Sequence, residues 1–458
     1  MPRDPVPHLL SRATQLLEDQ FAALPAFEPA LDSAASQAAN AQVLEDVARR
    51  LGDNYPYFHP LYAGQMLKPP HPMARAAYAL AMNINPNNHA RDGGRASSEM
   101  EIEAVREIAG LFGWTEFLGH LTSSGTMANL EALWVAGQLA PDKRIVGSKQ
   151  AHYTHQRISA VLKLDYTAIA SDQRGRMSFD ALEAELRKGD VGTVVVTLGN
   201  TAIGAVDPLH QILALRERYG FRAHVDGAYG GYFRLITDDL AEPSRRAYAA
   251  ISQADSIVVD PHKHGLQPYG CGCVLFRDPA VGQLYKHNSP YTYFTSKQLH
   301  LGEISLECSR AGAAAVALWA TQRLLPLKPG GEFAHGLARG RAAALELDRR
   351  LRADELGRFE ALAAGAPELD IVVWKLKAET PERSSELAQR VFDACAARDL
   401  HLALVQLPRH WFEPENRAAS GAGSVTCLRS VLMKPEHEAW LDAIWERLTA
   451  ACAEVMGA

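Results

Sequence analysis

The central part of the chain alternates helical and strand-like segments, and this alternation limits the possible folds more than any other feature. Between about residues 99 and 325, amphipathic patterns such as SEMEIEAVREIAGLFG, TMANLEALWVAGQLA and DPLHQILALRERYG alternate with short β-branched runs. These runs are TVVVTL at 193–198, AHVD at 223–226 and SIVVD at 256–260. Helices that alternate with short apolar strands are typical of βαβ units, in which a mainly parallel sheet is covered on both faces. The pattern therefore predicts an α/β fold.

Changes in pattern divide the chain into three predicted regions. Residues 1–85 begin with the amphipathic stretches LLSRATQLLEDQF and AQVLEDVARRL, which predict an N-terminal helical segment. Residues 86–326 hold the alternating segments and would form a large α/β domain. A Pro/Gly break, LKPGGEF, follows at 327–333. Residues 327–458 then predict a smaller C-terminal α/β domain, with a long helix at about 333–353 and strands such as DIVVWKLK.

Charge and composition exclude several classes of protein. The 458 residues include 47 Lys and Arg against 53 Asp and Glu, a formal net charge of −6. This balance gives no electrostatic reason to expect nucleic acid or an anionic membrane as a partner. No apolar run reaches the roughly 18 residues that span a bilayer, and the N-terminus has no apolar stretch of the signal-peptide type. Six cysteines are too few for a disulfide scaffold, so we expect a cytoplasmic protein with reduced thiols.

Polar residues follow the predicted strands at the sheet edge where ligands collect in α/β folds. Asp226 ends the run AHVD, and Lys263 follows SIVVD in the sequence DPHKHG. The small residues of TSSGTMANLEAL open a helix, where free N–H groups suit a phosphate. A lysine, an aspartate and a phosphate-binding loop together favour pyridoxal 5'-phosphate (PLP), which forms a Schiff base with a lysine and needs a carboxylate at its ring nitrogen.

Two ordered motifs, HVDGAYGG and ADSIVVDPHKHGLQPYGCGCVLFRD, resemble the signature of the group II PLP-dependent amino acid decarboxylases. This family includes the aromatic amino acid, tyrosine and glutamate decarboxylases. The resemblance covers about residues 60–325 and is weaker around TCLRSVLMKPEH near the C-terminus. It implies fold type I, the aspartate aminotransferase-like fold of PLP-dependent transferases. It also implies a homodimer in which two chains share each active site.

The same resemblance implies roles for individual residues. Lys263 would be the Schiff-base lysine, and Asp226 would be the partner of the ring nitrogen. Ala228 would pack on one face of the ring, and Thr201 would lie near the cofactor. Asn200 departs from the family's Gly-Thr-Thr segment at the middle position. The residues that would hold the phosphate are Ser124, Gly125, Thr126 and His262.

Histidines and cysteines near these motifs allow more than one interpretation. His152, in SKQAHYTHQR, matches the family's histidine that stacks on the other ring face; the alternative is a histidine at a helix N-terminus with no cofactor. We interpret His155, three residues later, as an ordinary helix residue. A metal site is suggested by the cluster of His262, His264, Cys271 and Cys273. Because Cys-x-Cys is tighter than the usual zinc spacing, we predict no metal and a strand with two buried thiols instead.

The resemblance implies α-decarboxylation, in which an L-amino acid loses CO₂ and its Cα is protonated to give the amine. No obvious pair of basic residues would bind a distal carboxylate, so an aromatic substrate such as tyrosine is favoured. His59, with Tyr57 and Phe58 in NYPYFHP, would bind such a side chain by stacking, or these residues would pack a dimer interface. Arg429 aligns with an arginine that meets the substrate carboxylate in some relatives, and a domain-interface arginine is the equal alternative.

A loop tyrosine completes the predicted catalytic set. Tyr291, in HNSPYTYFTS, lies where the family carries a tyrosine between the lysine strand and a helix start near Arg310. A phenol can protonate Cα after CO₂ leaves, and Tyr293 is the alternative donor two residues later. Other PLP chemistries also stay open: an aminotransferase, a carbon–carbon lyase and an aldehyde synthase. A non-catalytic scaffold protein would have no need of Lys263.

Overall fold

A computed structural model of the chain describes residues 6–27, 33–286, 300–412 and 423–457. Its strands, in chain order, are β1 Leu118–Thr122, β2 Arg144–Ser148, β3 Tyr166–Ile169, β4 Val191–Thr197, β5 Arg222–Asp226, β6 Ser256–Val259, β7 Gly272–Phe276, β8 Phe359–Ala361, β9 Ile371–Leu376, β10 Ala403–Pro408 and β11 Ser424–Val431. Its α-helices are α1 Val6–Asp19, α2 Ala34–Leu51, α3 Pro72–Met82, α4 Arg95–Leu111, α5 Gly125–Leu139, α6 Thr154–Val161, α7 Phe179–Leu186, α8 Leu209–Tyr219, α9 Ser244–Ala249, α10 Gly312–Leu324, α11 Glu332–Arg352, α12 Pro381–Ala396 and α13 His437–Met456.

The large sheet has seven strands in the order β1-β7-β6-β5-β4-β2-β3. The five strands from β6 to β3 run parallel, and β7 is antiparallel to both of its neighbours. Strands β4, β5 and β6 are almost wholly buried, as expected for β-branched strands covered on both faces. The mainly parallel α/β sheet predicted from the alternating pattern is confirmed.

The small sheet is antiparallel, in the order β10-β11-β9-β8. Helices α11 and α12 pack on its strands, and α13 packs against these two helices. Helix α11 corresponds to the long helix predicted at about 333–353. The apolar core continues from one sheet to the other, because Val225 of β5 and Ile371 of β9 belong to the same buried cluster. The boundaries at 85/86 and 326/327 remain a prediction.

The N-terminal helices differ from the rest in how little of their apolar surface is covered. No residue of α2 is buried, and Val43, Leu44 and Val47 are exposed. Leu9 and Leu16 of α1 are exposed as well. In the described ranges, none of the helices combines the length and apolar character needed to cross a membrane.

Candidate active site

A cavity of about 660 Å³ lies at the carboxyl ends of the parallel strands. Strand β4 ends at Thr197, β5 ends at Asp226 and β6 ends at Val259, so the segments after these strands reach the cavity. All nine residues that the sequence predicts around the cofactor line it: Ser124, Gly125, Thr126, His152, Thr201, Asp226, Ala228, His262 and Lys263. The topology thus brings together residues that are up to 139 positions apart in the sequence.

Lys263 reaches the cavity from the turn that follows β6. Its Nζ lies 3.0 Å from Oδ2 of Asp260, a buried carboxylate. Burial opposes the charge on the amine, but the charge and hydrogen bond of Asp260, with the charge of Asp226, raise the pKa of Lys263 above its usual value. The lysine is therefore protonated at neutral pH and must lose that proton before it can attack a carbonyl. Asp260 also lines the cavity, a placement that the sequence analysis does not predict although this residue directly precedes Pro-His-Lys.

Asp226 is the last residue of β5 and is held by two donors. Its Oδ1 accepts a hydrogen bond from the backbone N–H of Ala228 at 3.1 Å, and its Oδ2 lies 2.7 Å from Nε2 of His155. Burial alone would raise the pKa of Asp226, but the hydrogen bond and charge of His155, with the charge of Lys263, hold it well below its usual range. Asp226 is therefore an anion facing the cavity.

His155 corrects the interpretation made from the sequence. It is the second residue of α6, but its side chain is fully buried and contacts a predicted catalytic residue 71 positions away. One feature of the sequence could have indicated this contact. His155 follows His152 by three residues, a spacing that places the two imidazoles near the same end of α6.

The start of α5 forms one end of the cavity. Ser124 is the N-cap residue, and its Oγ accepts a hydrogen bond from the backbone N–H of Met127 at 3.3 Å. Gly125 has no room for a side chain, since a Cβ there would lie 2.5 Å from Oδ1 of Asp260. Because the first N–H groups of a helix have no partner within the helix, this end can bind an anion.

His262 and His152 approach the cavity from different elements. Nδ1 of His262 donates to the carbonyl oxygen of Cys271 at 2.7 Å, which fixes its ring and leaves Nε2 without that proton when the ring is neutral. Nδ1 of His152 lies 2.8 Å from Oγ1 of Thr154. Burial lowers the pKa of both histidines, so each favours the neutral form.

The hydrogen bonds of Asn200 show how this chain can depart from the family's Gly-Thr-Thr segment at its middle position. Its side chain is buried, donates to the carbonyl oxygen of Gly175 at 2.9 Å and accepts from the backbone N–H of Ile203 at 3.0 Å. These bonds hold the turn that presents Thr201 to the cavity. Asn200 thus supports this turn through its own hydrogen bonds.

His59 does not line the cavity of its own chain, so its expected role in substrate binding stays a prediction. Its Nδ1 accepts from the backbone N–H of Leu61, and its ring packs against Trp440 with 4.7 Å between centroids. Arg429 is buried beside the cavity but outside it, and its guanidinium donates to the carbonyl oxygens of Thr201 and Ala202. Tyr291 lies outside the described residues.

The other candidate ligands do not converge on one point. Cys273 lies in β7, and Cys271 is the residue directly before this strand. Both are buried free thiols, as the strand interpretation predicts. Within the described part of the chain, no group of three or more His, Cys, Asp and Glu side chains could hold a metal ion.

The polar groups around the cavity fit PLP. Oδ1 of Asp260 and Oγ1 of Thr197 are buried without a hydrogen-bond partner among the described residues, so the cavity contains unsatisfied polar atoms. The start of α5 suits a phosphate, Lys263 offers an amine and Asp226 offers an anion for a ring nitrogen. These groups are contributed by separate elements around a single cavity.

Comparison with known proteins identifies the class. The model of the pyridoxal-dependent decarboxylase conserved domain matches residues 127–377, more than half of the chain. The chain therefore belongs to the pyridoxal-dependent decarboxylase family and is a carboxy-lyase that uses PLP.

Individual relatives agree with this assignment. The L-tyrosine decarboxylase of Enterococcus faecium is 27% identical over 469 residues, which cover 78% of this chain and 76% of that protein. The probable L-tyrosine/L-aspartate decarboxylase of Methanothermobacter thermautotrophicus is 29% identical over 330 residues, covering 72% and 85%. A crystal structure of mouse CSAD in apo form has a TM-score of 0.77 at 21% identity, covering 95% of this chain and 91% of that chain. This likeness confirms the fold-type-I architecture.

Proposed function

We propose that this decarboxylase acts on an aromatic L-amino acid such as tyrosine and releases CO₂ and the corresponding amine. Two features of the described residues support this choice. Lys263 is the only Lys or Arg among the described residues that line the cavity, so no second cation there would bind a distal carboxylate. The segment beside the cavity is also rich in aromatic rings.

This aromatic cluster consists of Tyr55, Tyr57, Tyr62 and His401. Tyr57 and Tyr62 meet edge to face with 4.9 Å between ring centroids, and Tyr55 lies 4.8 Å from His401. Edge-to-face and offset arrangements of this kind also suit an aromatic substrate.

Two contacts connect the cluster's segment to the cavity. Tyr269 stacks on the cavity residue His262 at 4.8 Å and donates a hydrogen bond to the carbonyl oxygen of Met66. Arg429 donates both to the carbonyl oxygen of Thr201 in the cavity wall and to that of Gly64. A substrate ring that extends from the Lys263 amine would therefore approach the cluster.

The lining of the cavity and the family resemblance support a role for each of the individual residues. Lys263 would hold the cofactor covalently, Asp226 would contact its ring nitrogen, and Ala228 and His152 would pack on the two ring faces. Ser124, Gly125, Thr126 and His262 would hold the phosphate, and Thr201 would lie at the cofactor's side. When bound, PLP supplies the electron sink for the pair left on Cα by departing CO₂. We assign the final proton transfer to Tyr291.

We also propose a cytoplasmic homodimer. The exposed apolar residues of α1 and α2 give a surface that a second copy would cover, and free thiols suit a reducing compartment. Light scattering at micromolar concentration tests the dimer, and an active monomer would contradict it. Cell fractionation tests the location, and recovery outside the cytoplasm would contradict it.

The substrate proposal is tested by measuring CO₂ release from the twenty amino acids, DOPA, cysteine sulfinate and diaminobutyrate. We expect tyrosine or another aromatic amino acid to give the highest kcat/KM. Release of a ketoacid, or of ammonia and peroxide with O₂ uptake, would indicate an aminotransferase or an aldehyde synthase instead. Lys263→Ala should abolish the cofactor's visible absorbance and turnover in a folded protein, which no scaffold function requires.

A pair of variants examines the aromatic cluster directly. Tyr57→Leu should raise KM for the aromatic substrate more than it lowers kcat, and Tyr57→Phe should restore KM because stacking needs only the ring. Tyr219→Leu, on α8 away from the cavity, is the matched control. If aspartate or diaminobutyrate proves to be the best substrate, the aromatic proposal is wrong while the reaction class stands.

A further inference from the structure

His155 occupies a position behind the active site that the family resemblance does not explain. The imidazole is fully buried, and its Nε2 lies 2.7 Å from Oδ2 of Asp226. It does not line the cavity, so a bound cofactor would meet Asp226 first. Its Nδ1 is buried and has no hydrogen-bond partner among the described residues. Within the described ranges, the one polar contact of this ring is therefore that with Asp226.

The direction of this hydrogen bond follows from the chemistry of its two atoms. An ionised carboxylate can only accept, so Nε2 carries the proton and donates. Asp226 accepts from His155 at one oxygen and from the N–H of Ala228 at the other.

The burial of Asp226 explains why its carboxylate needs a second hydrogen-bond donor. A buried carboxylate without donors would take up a proton, because burial penalises the charged form. The backbone N–H of Ala228 supplies one donor. In the sheet, β4 lies between β5 and β2, the strand that precedes α6. His155, in the first turn of α6, supplies the second donor.

We propose that His155 is a positioning residue that keeps Asp226 ionised and oriented, so that the proton shared with the cofactor's ring nitrogen stays on that nitrogen. This inference rests on the proposed role of Asp226 and extends it to a residue that touches neither substrate nor cofactor. Without the His155 donor, the shared proton moves toward the carboxylate. The ring nitrogen then loses its positive charge, and with it the strength of its bond to Asp226.

The test measures how much the ring nitrogen contributes to cofactor binding. Dissociation constants are determined by fluorescence titration of the cofactor-free protein with PLP and with 1-deazapyridoxal phosphate, in which C–H replaces the ring nitrogen. The unaltered protein should bind PLP about tenfold or more tightly than the analogue, as expected for a hydrogen bond between charged groups. In His155→Leu this ratio should fall toward one.

Two further variants separate the hydrogen bond from simple packing. His155→Gln can place an amide N–H near the position of Nε2 and should restore most of the ratio. The side chain of His155→Asn is one methylene shorter, so this variant should not restore the ratio. The comparison of His155→Gln with His155→Asn keeps the test decisive if His155→Leu fails to fold. His120→Leu is the matched control, because His120 is also fully buried with Nε2 3.0 Å from the carboxylate of Glu131. His120 lies outside the cavity, and its replacement should leave the ratio of the two dissociation constants unchanged.

The outcomes distinguish this inference from the proposed function. A ratio that falls in His155→Leu and recovers in His155→Gln supports the inference. If Asp226→Asn lowers the ratio but none of the His155 variants does, His155 has no positioning role and the inference is overturned, whereas the role of Asp226 stands. If Asp226→Asn also leaves the ratio unchanged, the assignment of Asp226 fails and the inference fails with it.

Discussion

Arg429 offers a prediction in which a structural role and a substrate-binding role give opposite results. Its side chain is only 4% exposed and makes four hydrogen bonds. Nε donates to Ala202 O at 3.1 Å, Nη2 to Thr201 O at 2.7 Å, and Nη1 to Gly64 O at 3.3 Å and Gln65 Oε1 at 3.2 Å. The arginine on β11 thus joins the small sheet, the cavity loop and the N-terminal segment.

Arg429→Met keeps much of the side-chain length but removes all four donors. At about 1 kcal/mol of net stabilisation per hydrogen bond, their loss costs ~4 kcal/mol. Burial lowers the pKa of Arg429, which reflects the cost of desolvating its charge, and relief of that cost offsets part of the loss. We therefore expect the free energy of unfolding to fall by about 2–4 kcal/mol.

Urea unfolding of the cofactor-free protein, followed by tryptophan fluorescence, measures this change. Arg339→Met is the control, since Arg339 forms an exposed pair with Glu438 at 2.7 Å and its loss should cost at most about 1 kcal/mol. Arg429→Lys should recover only a minor part of the stability, because an ammonium cannot reproduce the guanidinium fork. If Arg429→Met unfolds like the unaltered protein while KM for the amino acid rises steeply, the arginine binds the substrate carboxylate and the structural reasoning is refuted.

Three further variants address the chemistry of the cavity. Asp226→Asn should retain PLP but lose most of its turnover, because a neutral amide cannot stabilise a protonated ring nitrogen; near-normal kcat would mean that the aspartate has another role. Asp260→Asn removes the carboxylate that raises the pKa of Lys263, so the pH profile of the rate of PLP capture should move to lower pH, and an unmoved profile would contradict this. Tyr291→Phe should bind PLP and substrate but lose amine formation; if Tyr293→Phe alone loses it, the donor is two residues later.

Much of the fold could be predicted because periodicity and β-branching report local structure directly. The runs that predict strands at 193–198, 223–226 and 256–260 correspond to β4, β5 and β6. The reversed direction of β7 is not visible in its sequence, GCVLF, because a fully buried strand has the same apolar pattern in either direction.

The cofactor cavity could be predicted for a different reason. The motifs around Lys263, Asp226 and Ser124 occur at ends of elements, where a parallel sheet places ligands, and the resemblance assigned them to one site. His59 does not line this cavity, and its substrate-binding role, which was inferred from residue type alone, stays a prediction. Its ring instead packs against Trp440 of α13, nearly 400 residues later, a contact that no local pattern indicates.

His155 shows where the inference from sequence stops. The residue follows β2, and Asp226 ends β5, so their contact depends on the strand order β5-β4-β2. With neighbouring strands about 4.8 Å apart, two spacings, or roughly 10 Å, separate β2 from β5. An imidazole alone is too short to span this distance, so the chain between β2 and α6 brings His155 toward β5, and its Nε2 then lies 2.7 Å from Oδ2 of Asp226. The contact therefore depends on the order of three strands, which the spacing of motifs along the chain does not contain.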